Sequence, residues 1–298
     1  MSRNPIRPTA ATLEWKCRDR TLHPGERPLV MGILNVTPDS FSDGGRYVDP
    51  QVAARRGLEM AAEGADIIDV GGESTRPGAA PVAEEEEKAR VLPVIERLRA
   101  ERDLCISIDT SKAAVAEAAL AVGARIVNDV TAFTGDEGMI EVARQTGAGV
   151  VLMHMQGSPR TMQAAPSYGN VVQEVTRFLG RRVEALCASG IDRACLALDP
   201  GIGFGKGLAH NLDLLAGLRA LGRHGRPVVV GLSRKSFLGK LTGRETGERL
   251  AGSLAALVYC LLNGAQGVRV HDVRESVDAV QVVAALAAAQ RGEQRGLE

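Results

Sequence analysis

The sequence predicts a single closed (β/α)8 barrel, and three observations carry that expectation. Short apolar runs alternate with stretches of helical period along the whole chain, their starts spaced about 20 to 45 residues apart. Each run ends in polar residues. A doubly wound sheet would gather such residues at one switch point, whereas a barrel distributes them around one mouth. Aromatics make up only 3% of the 298 residues, so Val, Ile, Leu and Ala must fill the core, as they do in barrel interiors. The apolar share of 45% is ample for one large core, and this length suits a barrel built as one domain.

Taken in order, residues 1–28 form a polar N-terminal segment. Within it, Leu13-Glu14-Trp15 and Arg20-Thr21-Leu22, around Pro24-Gly25, are expected to form a hairpin closing the barrel bottom. The barrel itself spans 29–291, and 292–298 is a tail. The first strand covers 29–34 and ends on Asn35, followed by a loop dense in turn formers through Gly45. A helix over about 50–63 leads to strand 66–70 and a second Gly/Pro-rich loop, Gly71 to Gly78. The next helix opens on Glu84 to Glu87, an acidic first turn that complements the helix dipole. Its Val91, Val94, Ile95 and Leu98 recur at helical spacing.

Strand 104–108 ends on Asp109, with a helix from Ser111. Strand 125–127 ends on Asn128-Asp129, with a short helix near 137–145. Strand 150–153 runs into His154, and helix 170–189 follows. Strand 195–198 stops on Asp199 and enters Pro200-Gly-Ile-Gly-Phe-Gly-Lys206, before a helix near 210–220. Strand 228–232 ends on Ser233-Arg-Lys-Ser236. An Ala- and Leu-rich helix fills 248–262, strand 267–270 ends on His271-Asp272, and a closing helix carries Val277, Val280 and Leu286 on one face.

Formal net charge is zero, so no global basic field exists to hold nucleic acid or an anionic membrane. The five cysteines include no CxxC pair; they read as buried free thiols in a reducing cytosol, and the expected location is cytoplasmic. The five histidines form no HxH or HExxH pair, which argues against a catalytic zinc. The glycine-rich stretch before Lys206 lacks both GxxxxGK[ST] and GxGxxG spacing.

Strand ends of a barrel converge on one cavity. Asp109, Asn128 and Asp199 supply acceptors and an amide, a set that fits a flat heterocycle with an aminopyrimidinone edge. Lys235 is placed to donate to its ring. Arg269 and His271, beside Asn35 across the barrel seam, suit a phosphate group. Asn35 offers a neutral oxygen to a Mg²⁺ otherwise held by diphosphate and water. Ser236, at a helix start, suits a carboxylate.

These segments together resemble the dihydropteroate synthase family of pterin-binding TIM barrels. The resemblance rests on Met31 through Gly45, Gly71 through Gly78, Met153 through Pro159, Asp199 through Lys206, Ser233 through Phe237 and Arg269 through Asp272, six motifs in the family's order. It implies condensation of 6-hydroxymethyl-7,8-dihydropterin diphosphate with 4-aminobenzoate, giving 7,8-dihydropteroate and diphosphate. It assigns the pterin to Asp109, Asn128, Met153, Asp199 and Lys235. Diphosphate and Mg²⁺ go to Asn35, Arg269 and His271, with Asp39 and Thr75 closing over from the two loops. The aminobenzoate lies near Thr75, Pro77, Phe204, Lys235 and Ser236. Catalysis falls to Asp39, Asp109, Asp199 and Lys235. A homodimer through the late helices and inhibition by sulfonamides are implied as well. Two other readings stay open at this point: a pterin barrel that transfers methyl groups from methyltetrahydrofolate to a corrinoid, and a non-catalytic pterin-binding homologue.

Overall fold

Neighbouring residues on a strand face opposite sides of the sheet, and that parity decides what this fold does with each side chain. The computed structural model describes residues 13–25, 27–37, 49–75 and 78–290. Eight parallel strands form one sheet: β3 (Leu29–Asn35), β4 (Ile67–Gly71), β5 (Cys105–Asp109), β6 (Ile126–Asp129), β7 (Gly149–Met153), β8 (Leu196–Asp199), β9 (Val229–Gly231) and β10 (Gly267–Val270). Their order is β8-β7-β6-β5-β4-β3-β10-β9. A parallel bridge from Leu198 to Val228 joins the two edges and closes the barrel.

The intervening helices are α1 (Pro50–Ala62), α2 (Glu84–Glu101), α3 (Ala113–Ala121), α4 (Gly138–Thr146), α5 (Val171–Ala188), α6 (Leu208–Ala216), α7 (Ser236–Thr242), α8 (Leu250–Leu262) and α9 (Val273–Gln290). Caps explain several boundaries. Asp49 accepts from the Gln51 N–H ahead of Pro50, and Asn170 accepts from the Gln173 N–H at the start of α5. Gly147 ends α4 in the left-handed region.

One parity of each strand faces the helices: Val30, Leu34, Ile68, Val70, Ile106 and Ile108 belong to the large core between sheet and helices. The other parity faces inward. Met31, Ile67, Cys105, Ile126, Val151, Ala197 and Val229 form a separate interior cluster with Trp15 and Cys17. Two residues further along, the same inward parity delivers Asp69, Ser107, Asn128, Met153, Asp199, Gly231 and, by register with Gly231, Arg269. The barrel interior is therefore apolar at its lower end and polar at its mouth.

The hairpin forms at that lower end, as β1 (Trp15–Cys17) paired with β2 (Arg20–Leu22). Its turn differs from the expectation. It lies at Arg18-Asp19, with Arg18 at φ 61°, and not at Pro24-Gly25. The tie that fixes it there is electrostatic: Arg125 donates to both Asp19 oxygens at 2.7 and 2.8 Å. Trp15 is fully buried, and its indole N–H donates to the Cys195 carbonyl at 2.8 Å.

One expectation holds with an addition, and two others are corrected. The acidic run at 84–87 does occupy the first turn of α2, but Glu87 is buried and paired with Lys112. Leu286 does not share the buried face of Val277 and Val280; it is 61% exposed. The helix expected near 210–220 stops at Ala216 and continues as a 3-10 segment, Leu218–His224.

Candidate active site

Two glycines show how closely the strand ends converge. A Cβ built on Gly231 would lie 3.8 Å from each of Asp199 Oδ2, Lys235 Nζ and Arg269 Cβ. One built on Gly71 would lie 3.7 Å from Asp109 Oδ2 and 3.9 Å from Asn35 Oδ1. A Cβ at either position would be in van der Waals contact with these groups. Asn35, Asp109, Asp199, Lys235 and Arg269 thus share one mouth.

Asp109 and Asp199 are both buried. Asp109 Oδ2 accepts from Arg269 Nη2 at 2.7 Å. Burial pushes Asp109 up to about 7; Arg269 pulls it down, while Asp69, Asp129 and Glu87 add to the rise. Burial also raises Asp199, against Lys235 and the Gly201 N–H, which donates to Asp199 Oδ1 at 2.7 Å. Burial lowers Lys235 to about 8, opposed by Asp199 and reinforced by Arg269. Burial opposes the charge of Arg269 too, but Asp69 and Asp109 hold its pKa above the usual guanidinium value.

Lys235 precedes the first residue of α7. Its ammonium donates to the Ile202 carbonyl and stands 4.7 Å from the centre of the Phe204 ring. The preceding Arg234 takes a left-handed φ of 58°. It is held there by its N–H to Ser253 Oγ at 3.0 Å, by Arg249 donating to its carbonyl at 3.0 Å, and by its ion pair with Asp272. Next door, the His271 N–H and Nδ1 lie 3.3 and 3.1 Å from Ser233 Oγ. The ends of β9 and β10 are thereby tied together, and Asp272 serves that tie.

Met153 is buried beside Asp199 in register, and its Cγ would lie 3.3 Å from a Cβ on Gly201. Ser236 is exposed at the start of α7, and Phe204 and Thr75 are half-buried. Thr75 follows a stretch held from below: Lys112 bridges Glu73 and Glu87, and Arg90 donates to the Gly72 carbonyl at 2.7 Å. Asp39 and Pro77 lie outside the described residues. Among the described residues no cluster of His, Cys, Asp or Glu is arranged to hold a metal ion.

Sequence reasoning missed Asp69. It is fully buried in mid-β4, and its Oδ2 accepts from Arg269 Nε at 2.6 Å and from Asn128 Nδ2 at 3.1 Å. The available signal was parity: Asp69 stands two residues before Gly71, on the inward face. Lys206 was also passed over. It is buried, and its ammonium turns inward to the carbonyls of Gly201, Phe204 and His154. His154 beside it is held down to about 3 by burial and by the Lys206 charge, so its ring is neutral.

The sequence profile of pterin binding enzymes matches residues 31–271. The chain is similar to the dihydropteroate synthase of Escherichia coli strain K12, with 49% identity over 263 residues, covering 88% of this chain and 93% of that protein. It is similar in structure to Xanthomonas albilineans dihydropteroate synthase with 4-aminobenzoic acid, at a TM-score of 0.87 and 49% identity, covering 93% of this chain and 98% of that one. The same enzyme in complex with 7,8-dihydropteroate gives a TM-score of 0.84 and 47% identity, covering 92% and 99%.

Proposed function

We infer the reaction from one premise: this chain belongs to the family of pterin-binding enzymes. It is a transferase with dihydropteroate synthase activity, condensing 6-hydroxymethyl-7,8-dihydropterin diphosphate with 4-aminobenzoate to give 7,8-dihydropteroate and diphosphate. The observation that carries the reading is the convergence of Asp199, Lys235 and Arg269 around Gly231, with Asp109 paired to the same guanidinium.

We propose the following division of labour. Asp199 and Asp109 accept hydrogen bonds from the ring N–H groups of the pterin, Asn128 adds its amide, Lys235 donates to the ring, and Met153 packs beneath it. Arg269 and His271 hold the diphosphate, joined by Asn35 and Thr75. Ser236, with Thr75, Pro77 and Phe204, receives the aminobenzoate. Among the described residues no acidic cage surrounds Asn35, and its neutral amide oxygen suits a Mg²⁺ whose other positions would be filled by diphosphate and water. Bound there, the ion would neutralise charge on the leaving group.

The substitution is proposed to be dissociative. The bond from the exocyclic carbon to the diphosphate oxygen breaks, its electron pair leaving with diphosphate. The positive charge spreads into the pterin ring, where the buried carboxylates Asp109 and Asp199 stabilise it through a field that is already in place. The arylamine nitrogen then bonds to that carbon and passes its proton to the departing diphosphate. Asp39 and Thr75, from the loops after β3 and β4, are proposed to help exclude water.

We further propose a homodimer. Its support is an apolar groove of about 470 Å³ between α8 and α9, lined by Leu254, Val258, Val282, Val283 and Leu286. We place the enzyme in the cytoplasm, where a reducing milieu suits its five free cysteines. No helix among the described residues is long and apolar enough to cross a membrane.

The test is diphosphate release with and without 4-aminobenzoate. Release that requires the arylamine, together with dihydropteroate formation, is expected from the parent and is expected to be lost in Asp199→Asn. Methyl transfer from methyltetrahydrofolate to a corrinoid, with no diphosphate release, would overturn the reading.

A further inference from the structure

Asp69 is used by none of the steps above, yet it touches two of the groups they require. Its Oδ2 accepts from Arg269 Nε at 2.6 Å and from Asn128 Nδ2 at 3.1 Å. Its other oxygen, and Ser107 Oγ beside it in register on β5, are buried without a hydrogen-bond partner among the described residues. An uncompensated carboxylate oxygen in a barrel interior is costly, and a role that depends on a charged acceptor at that point accounts for its presence.

The two contacts constrain different things. Arg269 is held by two acids, Asp69 at Nε and Asp109 at Nη2. If Asp109 turns to the pterin, the Nε anchor persists. The guanidinium plane then stays fixed while its outer N–H groups become available to the diphosphate, the geometry that bidentate anion binding requires. The amide of Asn128 is nearly symmetrical in shape, so sterics alone do not choose its orientation. A carboxylate oxygen beneath it does choose. It draws Nδ2 downward, and the opposite end of the amide is then an acceptor.

We propose that Asp69 is a positioning residue that fixes both the guanidinium plane of Arg269 and the amide orientation of Asn128, so that the pocket offers an acceptor to the pterin ring and donors to its diphosphate. The inference rests on the reaction assigned above.

A pair of double-mutant cycles tests it. Calorimetry with 6-hydroxymethylpterin reads the ring alone; initial rates with the pterin diphosphate read both ends. Asp69→Asn is expected to weaken 6-hydroxymethylpterin about tenfold and to lower kcat/KM for the pterin diphosphate about a hundredfold. KM for 4-aminobenzoate should stay within about twofold. In an Asn128→Ala background the loss in pterin affinity should shrink below about twofold, and in an Arg269→Lys background the loss in kcat/KM should shrink below about tenfold. Full losses in both backgrounds would mean that Asp69 acts independently of its two partners, and the proposal would fall. It would fall equally if Asp69→Asn bound and turned over like the parent. Should Asp69→Asn be recovered unfolded, Asp69→Ser carries the same cycles, since its smaller side chain leaves room for water at the lost oxygen. A parent that binds the pterin but forms no dihydropteroate would refute the reaction, and the calorimetric cycle would still decide the positioning role.

Discussion

Replacing Lys206 by Met should loosen the glycine-rich turn without touching a substrate. The ammonium donates to Gly201 O and Phe204 O, both at 2.9 Å, and to His154 O at 3.2 Å, and it meets His154 Nδ1 at 3.0 Å. Methionine keeps the stem but strands three carbonyls, a loss of about 3 kcal/mol at roughly 1 kcal/mol each. Part of that is offset, because a buried ammonium no longer has to be desolvated; burial is the main reason Lys206 falls to about 7. A net destabilisation of about 2 kcal/mol corresponds to a Tm drop of roughly 3 °C for a chain of 298 residues. The pH dependence supplies a second signature. The unfolded chain keeps the lysine proton up to about pH 10, whereas the folded chain releases it near 7, so this group makes stability rise with pH across that window. Lys206→Met should flatten the rise. In catalysis, the turn carries Phe204, which is proposed to receive the aminobenzoate, and Lys206 holds the Phe204 carbonyl, so KM should increase more for 4-aminobenzoate than for the pterin diphosphate. Melts over a pH series and initial rates with each substrate varied check this. An unchanged Tm with an unchanged pH profile would refute the latch. Equal losses for both substrates would refute the assignment of the turn to the arylamine side.

Because Asp109 sits near 7 in the free enzyme and ring N–H donors favour its ionised form, pterin binding should release close to one proton at pH 6 and almost none above pH 8. Calorimetry in buffers of different ionisation enthalpy measures this, and buffer-independent heats at pH 6 would contradict it. Trp15→Ala should cost about 3–5 kcal/mol, since the indole is fully buried and bonded to the Cys195 carbonyl. The folded fraction should nevertheless keep kcat within about twofold at low temperature, because the ring seals the end away from the mouth; denaturant melts and low-temperature rates decide. Val282→Glu with Leu286→Glu places two charges on residues that are 59% and 61% exposed. Sedimentation velocity is expected to show a dimer for the parent and a monomer for the double variant; a monomeric parent or a dimeric double variant would refute that surface.

The barrel was legible because its strands obey one rule twice over. Apolar runs flag the strands, and the polar residue that closes each run sits at the mouth, so Asn35, Asp109, Asn128 and Asp199 could be named from position alone. Residues whose role depends on partners far along the chain were not legible in that way. Asp69 lies inside the run Ile67-Ile68-Asp69-Val70 and looks like an irregularity until Arg269, 200 residues away, is seen on its Oδ2. Glu87 is one of four consecutive glutamates, and only Lys112, brought over from the adjoining βα segment, separates it from its exposed neighbours. Lys206 follows three glycines, which suggests a phosphate loop. The close approach of Gly201 to the His154 carbonyl, where a Cβ would sit 1.9 Å away, instead folds the turn back over the lysine. The hairpin turn was misplaced because Pro24-Gly25 is the stronger local signal, while Asp19 is fixed by a distant arginine.

The mouth of the barrel holds its charges in tension before any ligand arrives. Asp69, Asp109 and Asp199 face Arg269 and Lys235 in a space mostly closed to water. One guanidinium serves two of the acids. Burial drives Asp109 up and Lys235 down until the two approach each other near neutrality. A site built only to grip a neutral ring would gain nothing from this arrangement, since buried charges seldom repay their desolvation. It does suit a reaction whose proposed intermediate carries positive charge on the ring while negative charge departs. On the proposed reaction the developing cation would meet carboxylates that lack a full complement of counter-charge, and the departing anion would meet an arginine freed once Asp109 turns to the pterin. The two ends of the pterin substrate are thereby coupled through Arg269. Preorganisation of this kind stabilises the transition state more than the ground state, and it requires an anchor that stays on the arginine throughout, which is the position Asp69 occupies.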